Sequence, residues 1–131
     1  MSRKQLIIDA SCIMAVIRNE PNCNDIIEKT KLYELLSPEC IVFEVGNSLS
    51  KLLKRNLLEI PEAQKCFKLF KNMPIKLIEV NFDNALMLSG EEKHYAYDMY
   101  YLDCAIRHKV PLLTYDLKLI KIATERGVKC L

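Results

Sequence analysis

Two carboxylates stand at positions where short apolar runs of the chain come to an end. Asp9 follows Leu6-Ile7-Ile8, and Asp116 comes shortly after the run 112–114. Carboxylates that converge repel one another, by on the order of 4 kcal/mol for a pair about 4 Å apart at an effective dielectric of about 20. Protonation relieves that repulsion, and so does a hard divalent cation such as Mg²⁺ or Mn²⁺, which prefers oxygen ligands. Such a site activates water and stabilises the charge that develops during phosphodiester hydrolysis.

Two further acids, Glu44 and Asp98, lie on the inward sides of predicted helices. Glu44 lies within the apolar run of a helix predicted over residues 41–55, where a buried carboxylate is costly unless it is paired or coordinated. Asp98 opens another helix and shares a face with the apolar Leu102. A second explanation stays open for Glu44 and for Asp9. The helix dipole favours an acid such as Glu44 in a first turn, and Asp9 suits an ordinary helix cap.

The other titratable residues offer weaker candidates. Asp103 is five residues beyond Asp98, about 140° further round the helix, so it is predicted to point elsewhere and is left out of the site. His94 and His108 are each alone in their segments, which is typical of surface or packing residues. The chain contains no phosphate-binding glycine loop, no GxSxG serine motif and no HExxH zinc motif.

Alternating strands and helices must position the four acids. Strands are predicted over residues 5–9, 35–37, 75–80, 111–114 and 128–131, and helices over 11–18, 24–33, 41–55, 61–72, 81–88, from 98 onward, and over 116–126. This alternation predicts a three-layer α/β/α domain spanning residues 1–131, with a mostly parallel five-stranded sheet. In such sheets ligands bind outside the carboxyl ends of the strands, where Asp9 and Asp116 are expected to converge if their strands are neighbours.

The cysteine content indicates a cellular compartment, but the net charge does not identify a binding partner. A net charge of +2 neither requires nor excludes nucleic acid, although basic residues cluster loosely within 51–55 and 65–71. The six cysteines show no CxxC motif and no zinc spacing, which favours free thiols and a reducing, cytoplasmic location. No stretch approaches the roughly 20 apolar residues of a membrane span, so no membrane association is expected.

Four motifs occur in an order that resembles the PIN-domain nucleases, and within them the toxin subunits of VapBC-type toxin–antitoxin pairs. They are Asp9-Ala10-Ser11, the run 44–49 (EVGNSL), Tyr97-Asp98 with Tyr101-Leu102, and Leu113-Thr114-Tyr115-Asp116. The likeness covers essentially the whole chain. It implies a flavodoxin-like fold, Mg²⁺- or Mn²⁺-dependent ribonuclease activity, homodimerisation and inhibition by a small antitoxin protein.

The resemblance also assigns expected roles by position. The family's catalytic, metal-binding acids correspond to Asp9, Glu44, Asp98 and Asp116, and the polar residues that support them correspond to Ser11, Asn47 and Thr114. Asp103 stands where the family usually has a small or apolar residue, so it is either an additional acid near the site or part of another surface.

Two other classes of function compete with a nuclease. A catalytically silent module that binds RNA or protein would keep the fold without the metal chemistry. A receiver or phosphatase is disfavoured, because the phosphatase signature places a second Asp two residues after the first, where this chain has Ser11. Helices within 41–72 carry more Leu and Phe than one face need bury, which indicates either core packing or a groove for a second copy or an antitoxin.

Overall fold

The computed structural model describes residues 3–131. Its strands are β1 (Lys4–Ile8), β2 (Tyr33–Pro38), β3 (Ile75–Ile78) and β4 (Leu112–Leu113). Its helices are α1 (Ala10–Ile17), α2 (Cys23–Thr30), α3 (Ile41–Lys54), α4 (Ile60–Lys71), α5 (Phe82–Glu92), α6 (Ala96–His108) and α7 (Leu117–Glu125).

The strands form a parallel sheet in the order β3-β2-β1-β4. Leu6, Ile7 and Ile8 of β1 are almost wholly buried, as expected of a central strand covered on both faces. β3 lies at the edge of the sheet. The alternating polarity of residues 75–80 predicts such a position, because a strand near the edge is less buried than a central one. Because all the strands are parallel, their carboxyl ends share one edge. The strand order reverses between β1 and β4, and this is where ligands bind in open α/β sheets.

The predicted fifth strand, over residues 128–131, is wrong for residues 3–131, which contain four strands. This segment makes a single parallel bridge between Leu112 and Cys130. The backbone N–H of Leu112 donates to Lys129 O at 2.9 Å, and that of Leu131 donates to Leu112 O at 3.1 Å. Its partner β4 has only two residues, and the turn at Gly127 (φ 83°) ends just before the bridge. The pairing is therefore too short to form a strand.

Helices cover the sheet in two groups, which gives the three-layer α/β/α arrangement. α1 contacts α2, α3 and α4, whereas α6 contacts α5 and α7 and packs onto β1 and β2. The inward stripe of α6 comprises Met99, Tyr101, Leu102 and Ala105, all of them buried. This stripe fixes the rotation of α6 and so determines where Asp98 projects. Among residues 3–131, no helix combines the length and the apolar character needed to traverse a bilayer.

Candidate active site

Asp9 is held at the carboxyl end of β1 by hydrogen bonds from both its side chain and its backbone. It caps α1, with Oδ1 accepting from Ser11 Oγ at 2.8 Å and from the Cys12 N–H at 3.0 Å. Its Oδ2 accepts from the hydroxyl of Thr114. The backbone N–H of Asp9 also donates to Leu113 O at 3.3 Å. The cap explanation and the site explanation therefore both apply to Asp9, which is buried yet lies at the ligand edge.

Thr114 connects Asp9 to the second acid of this edge, Asp116. The Thr114 hydroxyl donates to Asp9 and accepts from the backbone N–H of Asp116 at 3.1 Å. Asp116 in turn caps α7, because its Oδ1 accepts from the N–H groups of Lys118 at 2.9 Å and Leu119 at 3.1 Å. One hydroxyl thus joins the ends of two neighbouring strands.

Glu44, in the first turn of α3, is half-buried and carries the strongest electrostatic evidence for convergence. Its Oε2 accepts from the Tyr101 hydroxyl at 2.6 Å and from the Cys40 thiol at 3.3 Å. Burial raises the pKa of the Glu44 carboxyl, and the charges of Asp9 and Asp98 raise it further. The two hydrogen bonds oppose that shift. Acids from β1, α3 and α6 therefore interact electrostatically at one edge of the sheet.

Asp98 is paired with His94, for which the sequence predicts only a surface or packing role. Its Oδ2 lies 2.5 Å from Nε2 of His94, whose side chain is only 9% exposed. The backbone of His94 is fixed as well, since its N–H donates to Ser89 O at 3.1 Å and its carbonyl accepts from the Ser89 hydroxyl. His94 is thus held rigidly against the predicted catalytic acid.

Sequence reasoning missed three residues that contact the acids. His94 with Asp98, and Cys40 with Glu44, are both spaced four residues apart, a local signal that was available. Tyr101 belongs to one of the recognised motifs, but its partner Glu44 is 57 positions away, so no local pattern predicts the contact. Burial raises the pKa of the Cys40 and Tyr101 side chains, with Glu44 adding to both shifts. Both groups therefore act as hydrogen-bond donors to Glu44.

The predicted supporting residues differ in whether they contact the acids. Ser11 and Thr114 contact Asp9 directly, whereas Asn47 is exposed on α3 and within residues 3–131 makes no hydrogen bond to the four acids. Asp103 is buried and paired with Arg107 Nε at 2.7 Å. Arg107 also donates to Glu79 O at 3.0 Å, just beyond β3. Asp103 therefore has its own partner on α6, as its position round the helix predicted.

Comparison with known families identifies the fold. A family model described as the PIN domain matches residues 6–125. The chain belongs to the PIN domain family. This confirms the family inferred from the four motifs. The comparison with curated proteins found no match.

Solved structures share the architecture of this PIN domain. PAE2754 from Pyrobaculum aerophilum is 21% identical with a TM-score of 0.74, covering 97% of this chain and 83% of that one. FitAcB from Neisseria gonorrhoeae is 12% identical with a TM-score of 0.71, covering 97% and 96%. VapBC2 from Rickettsia felis, solved with a promoter DNA fragment, is 14% identical with a TM-score of 0.66, covering 96% of each chain. At these identities the similarity is one of fold.

The carboxylate oxygens of the predicted acids suit a hard divalent cation, but the acids do not form a compact group of ligands. Among residues 3–131, no three His, Cys, Asp or Glu side chains stand close enough together to hold an ion. Glu44, Asp98 and Asp116 each use one carboxylate oxygen in the hydrogen bonds described above, and the other oxygen has no such partner within these residues. Carboxylate oxygens of this kind suit Mg²⁺ or Mn²⁺, with water filling part of the coordination sphere.

Proposed function

We propose that the protein is a Mg²⁺- or Mn²⁺-dependent endoribonuclease whose ion is held by Asp9, Glu44, Asp98 and Asp116. The observation that carries the proposal is the link from Asp9 through the Thr114 hydroxyl to the backbone of Asp116, at the edge where ligands bind in such sheets. Burial raises the pKa of Glu44, and repulsion from the negative charges of Asp9 and Asp98 adds to that shift. A cation between these groups would relieve that repulsion. Membership of a family whose members are generally nucleases supports the same conclusion.

Each acid has a protein partner that fixes its orientation. Ser11 and Thr114 hold Asp9, and Thr114 ties it to the Asp116 backbone. Tyr101 holds one oxygen of Glu44, and the other oxygen stays available. Orienting partners of this kind commonly change metal affinity by about 10- to 100-fold. A bound Mg²⁺ or Mn²⁺ would lower the pKa of water and neutralise charge on the phosphodiester.

The test is cleavage of a single-stranded RNA by the wild type and by Asp9→Asn and Asp98→Asn, with Mn²⁺ or with EDTA. Asp83→Asn is the matched control, because Asp83 is an exposed first-turn acid of α5, as Asp98 is a first-turn acid of α6. We expect EDTA-sensitive cleavage by the wild type and the control only. Equal, EDTA-resistant cleavage by all four proteins would refute the mechanism.

A catalytically silent module remains the second candidate, because the side chains do not close round an ion among the described residues. Calorimetric titration with Mn²⁺ separates the two functions. The nuclease should bind Mn²⁺ and lose that binding in Asp98→Asn, whereas a silent module should show no binding that depends on the carboxylates.

We also propose that this nuclease is the toxin of a toxin–antitoxin pair. The surface formed by α1 and α4 has a cavity lined by Ile17, Arg18, Leu57, Leu58, Glu62, Lys65, Cys66 and Leu69. Leu57 and Leu69 are exposed there, and Ile60 is exposed nearby. An apolar groove with a charged rim suits the apolar face of an amphipathic helix. Light scattering with a co-expressed neighbouring gene product should give a complex that Leu69→Glu abolishes, and an unchanged mass for the wild type would contradict this role.

A second exposed apolar surface supports a homodimer. Phe82 and Tyr97 both pack edge-on against Tyr100, with ring centroids 5.6 Å apart in each case, yet both are more than half exposed. Aromatic residues of this kind are enriched in protein interfaces. We expect light scattering of the wild type to give twice the mass of one chain and Phe82→Asp to give a monomer. A monomeric wild type would contradict the proposal.

A further inference from the structure

A polar cavity opens beside the candidate active site, between the end of α5, the loop before α6 and the start of α7. Its volume is about 570 Å³, and it is lined by Ser89, Lys93, His94, Tyr95 and Lys118. None of these residues is among the predicted site residues. Their chemistry differs from that of the acids, since the cavity combines two ammonium groups with an imidazole and a phenol.

The cavity shares lining residues with two of the predicted catalytic acids. His94 lines the cavity and also contacts Asp98 through Nε2 at 2.5 Å. Lys118 also lines the cavity, and its backbone N–H donates to Asp116 at 2.9 Å. Two residues of the cavity therefore contact two acids of the proposed nuclease site, Asp98 and Asp116.

The two lysines of the cavity are available to bind an added anion. Arg107, by contrast, pairs with Asp103, and Arg126 pairs with Glu91 and Glu92. Lys93 and Lys118 are both exposed, and neither forms a salt bridge within residues 3–131. Two unpaired ammonium groups facing one cavity favour an anionic ligand, and next to a phosphodiester-cleaving site that ligand is a phosphate of the substrate.

Tyr95 supplies a second kind of contact at the same cavity. Its side chain is 85% exposed, and its ring meets His94 edge-on with centroids 6.3 Å apart. An aromatic ring this exposed offers a face on which a nucleobase can stack. Bases within a duplex are stacked on one another and cannot reach such a ring, so this contact selects a single strand.

We infer that this cavity is a nucleotide subsite for single-stranded RNA, in which Lys93 and Lys118 bind a phosphate adjacent to the cleaved one and Tyr95 stacks on a base. The inference rests on the proposed ribonuclease function and specifies how its substrate is held. Cleavage then occurs close to the bound phosphate, because His94 both lines the cavity and contacts Asp98.

The test is binding of a fluorescein-labelled oligouridylate to the wild type in EDTA, followed by anisotropy over a range of salt concentrations. Each phosphate contact to a single strand contributes about 0.7 to the slope of log affinity against log salt. Because the two lysines share one phosphate, we expect the double variant Lys93→Gln/Lys118→Gln to reduce that slope by about 0.7 and each single variant to reduce it by less. Tyr95→Ala should weaken binding by at least about fivefold and leave the salt slope unchanged.

Lys121→Gln is the matched control, because Lys121 is an exposed lysine on α7 outside the cavity. Slopes that fall equally for Lys121→Gln and Lys118→Gln would overturn the subsite, as would tighter binding of a duplex of the same length. Mn²⁺-dependent cleavage is measured separately. If the wild type cleaves RNA but the cavity variants bind RNA as the wild type does, the subsite is rejected and the enzyme is not. If the variants bind as predicted but the wild type does not cleave, the subsite is supported and the proposed enzyme is rejected.

Discussion

The buried pair on α6 gives a prediction whose size can be worked out from the contacts. Asp103 is only 3% exposed, and Arg107 gives it a hydrogen bond of 2.7 Å and gives Glu79 O another of 3.0 Å. Arg107→Met removes both and leaves a buried carboxylate without its partner. Such a loss costs about 3–5 kcal/mol for a fully buried pair. The Arg107 side chain is 29% exposed, so water can replace part of the contact, and we expect about 2–3 kcal/mol.

Urea denaturation measures the effect as a lower midpoint at constant slope. A loss of about 2–3 kcal/mol corresponds to a fall in Tm of roughly 7–11 °C for a chain of this size. Asp103→Ala with Arg107→Met should recover most of that loss, because replacing both partners with apolar groups removes the desolvation cost together with the attraction. Asp103→Ala is the informative partner, since the family resemblance implies a small or apolar residue there.

Two results would refute this reasoning. One is an Arg107→Met variant within about 0.5 kcal/mol of the wild type, the range of an ordinary surface substitution. The other is a double variant as unstable as the sum of the two single variants, which would mean that the two side chains do not interact. Cleavage activity should persist in the folded double variant, because Asp103 lies outside the acid cluster.

Three further predictions concern the acids themselves. Because burial favours the neutral form of Glu44, the folded protein binds this proton more tightly than the unfolded chain, and stability falls as the pH rises through the raised pKa. Glu44→Gln should therefore raise the Tm in EDTA near neutral pH, with the gain vanishing below the ordinary value of 4.5; a gain independent of pH would contradict this. His94→Ala should weaken Mn²⁺ binding about tenfold in calorimetry through loss of the contact to Asp98, and unchanged affinity would count against that role. Tyr101→Phe should cost about 1.5–3 kcal/mol in urea unfolding, because a charged acceptor loses its donor, whereas a neutral result would show that the hydroxyl is dispensable.

The fold was predictable where burial leaves a local pattern in the sequence. The apolar run of β1 and the alternation in β3 predicted a central strand and an edge strand, and both are observed. The segment 128–131 also looked like a strand, but a strand is defined by its ladder, and β4 offers only two residues for pairing. A sequence pattern carries no information about the length of the strand with which it pairs. The predicted end of α5 near residue 88 differs as well, because the helix continues through Gly90 to Glu92.

The sequence predicts four acids for the candidate site, together with the contacts of Ser11 and Thr114 to Asp9, but not the contacts of Cys40, Tyr101 and His94. Asp9 and Asp116 follow from the rule that parallel strands deliver their ends to one edge, and Glu44 stood out because it interrupts an apolar face. The Tyr101 contact was not predictable, because it depends on how α6 is rotated against α3. Whether the acids close round an ion depends on side-chain separations of about an ångström, which no spacing in the sequence encodes.

Under the proposed function, the hydroxyl bridge between Thr114 and Asp9 determines when cleavage first becomes possible during synthesis of the chain. The bridge joins positions 105 residues apart. A nascent chain that has emerged only as far as α6 already carries Asp9, Glu44 and Asp98, but it has neither β4 to pair with β1 nor the fourth acid. Under the proposed function, translation itself postpones cleavage. The catalytic centre of the proposed enzyme can then assemble only after the last part of the domain has been synthesised.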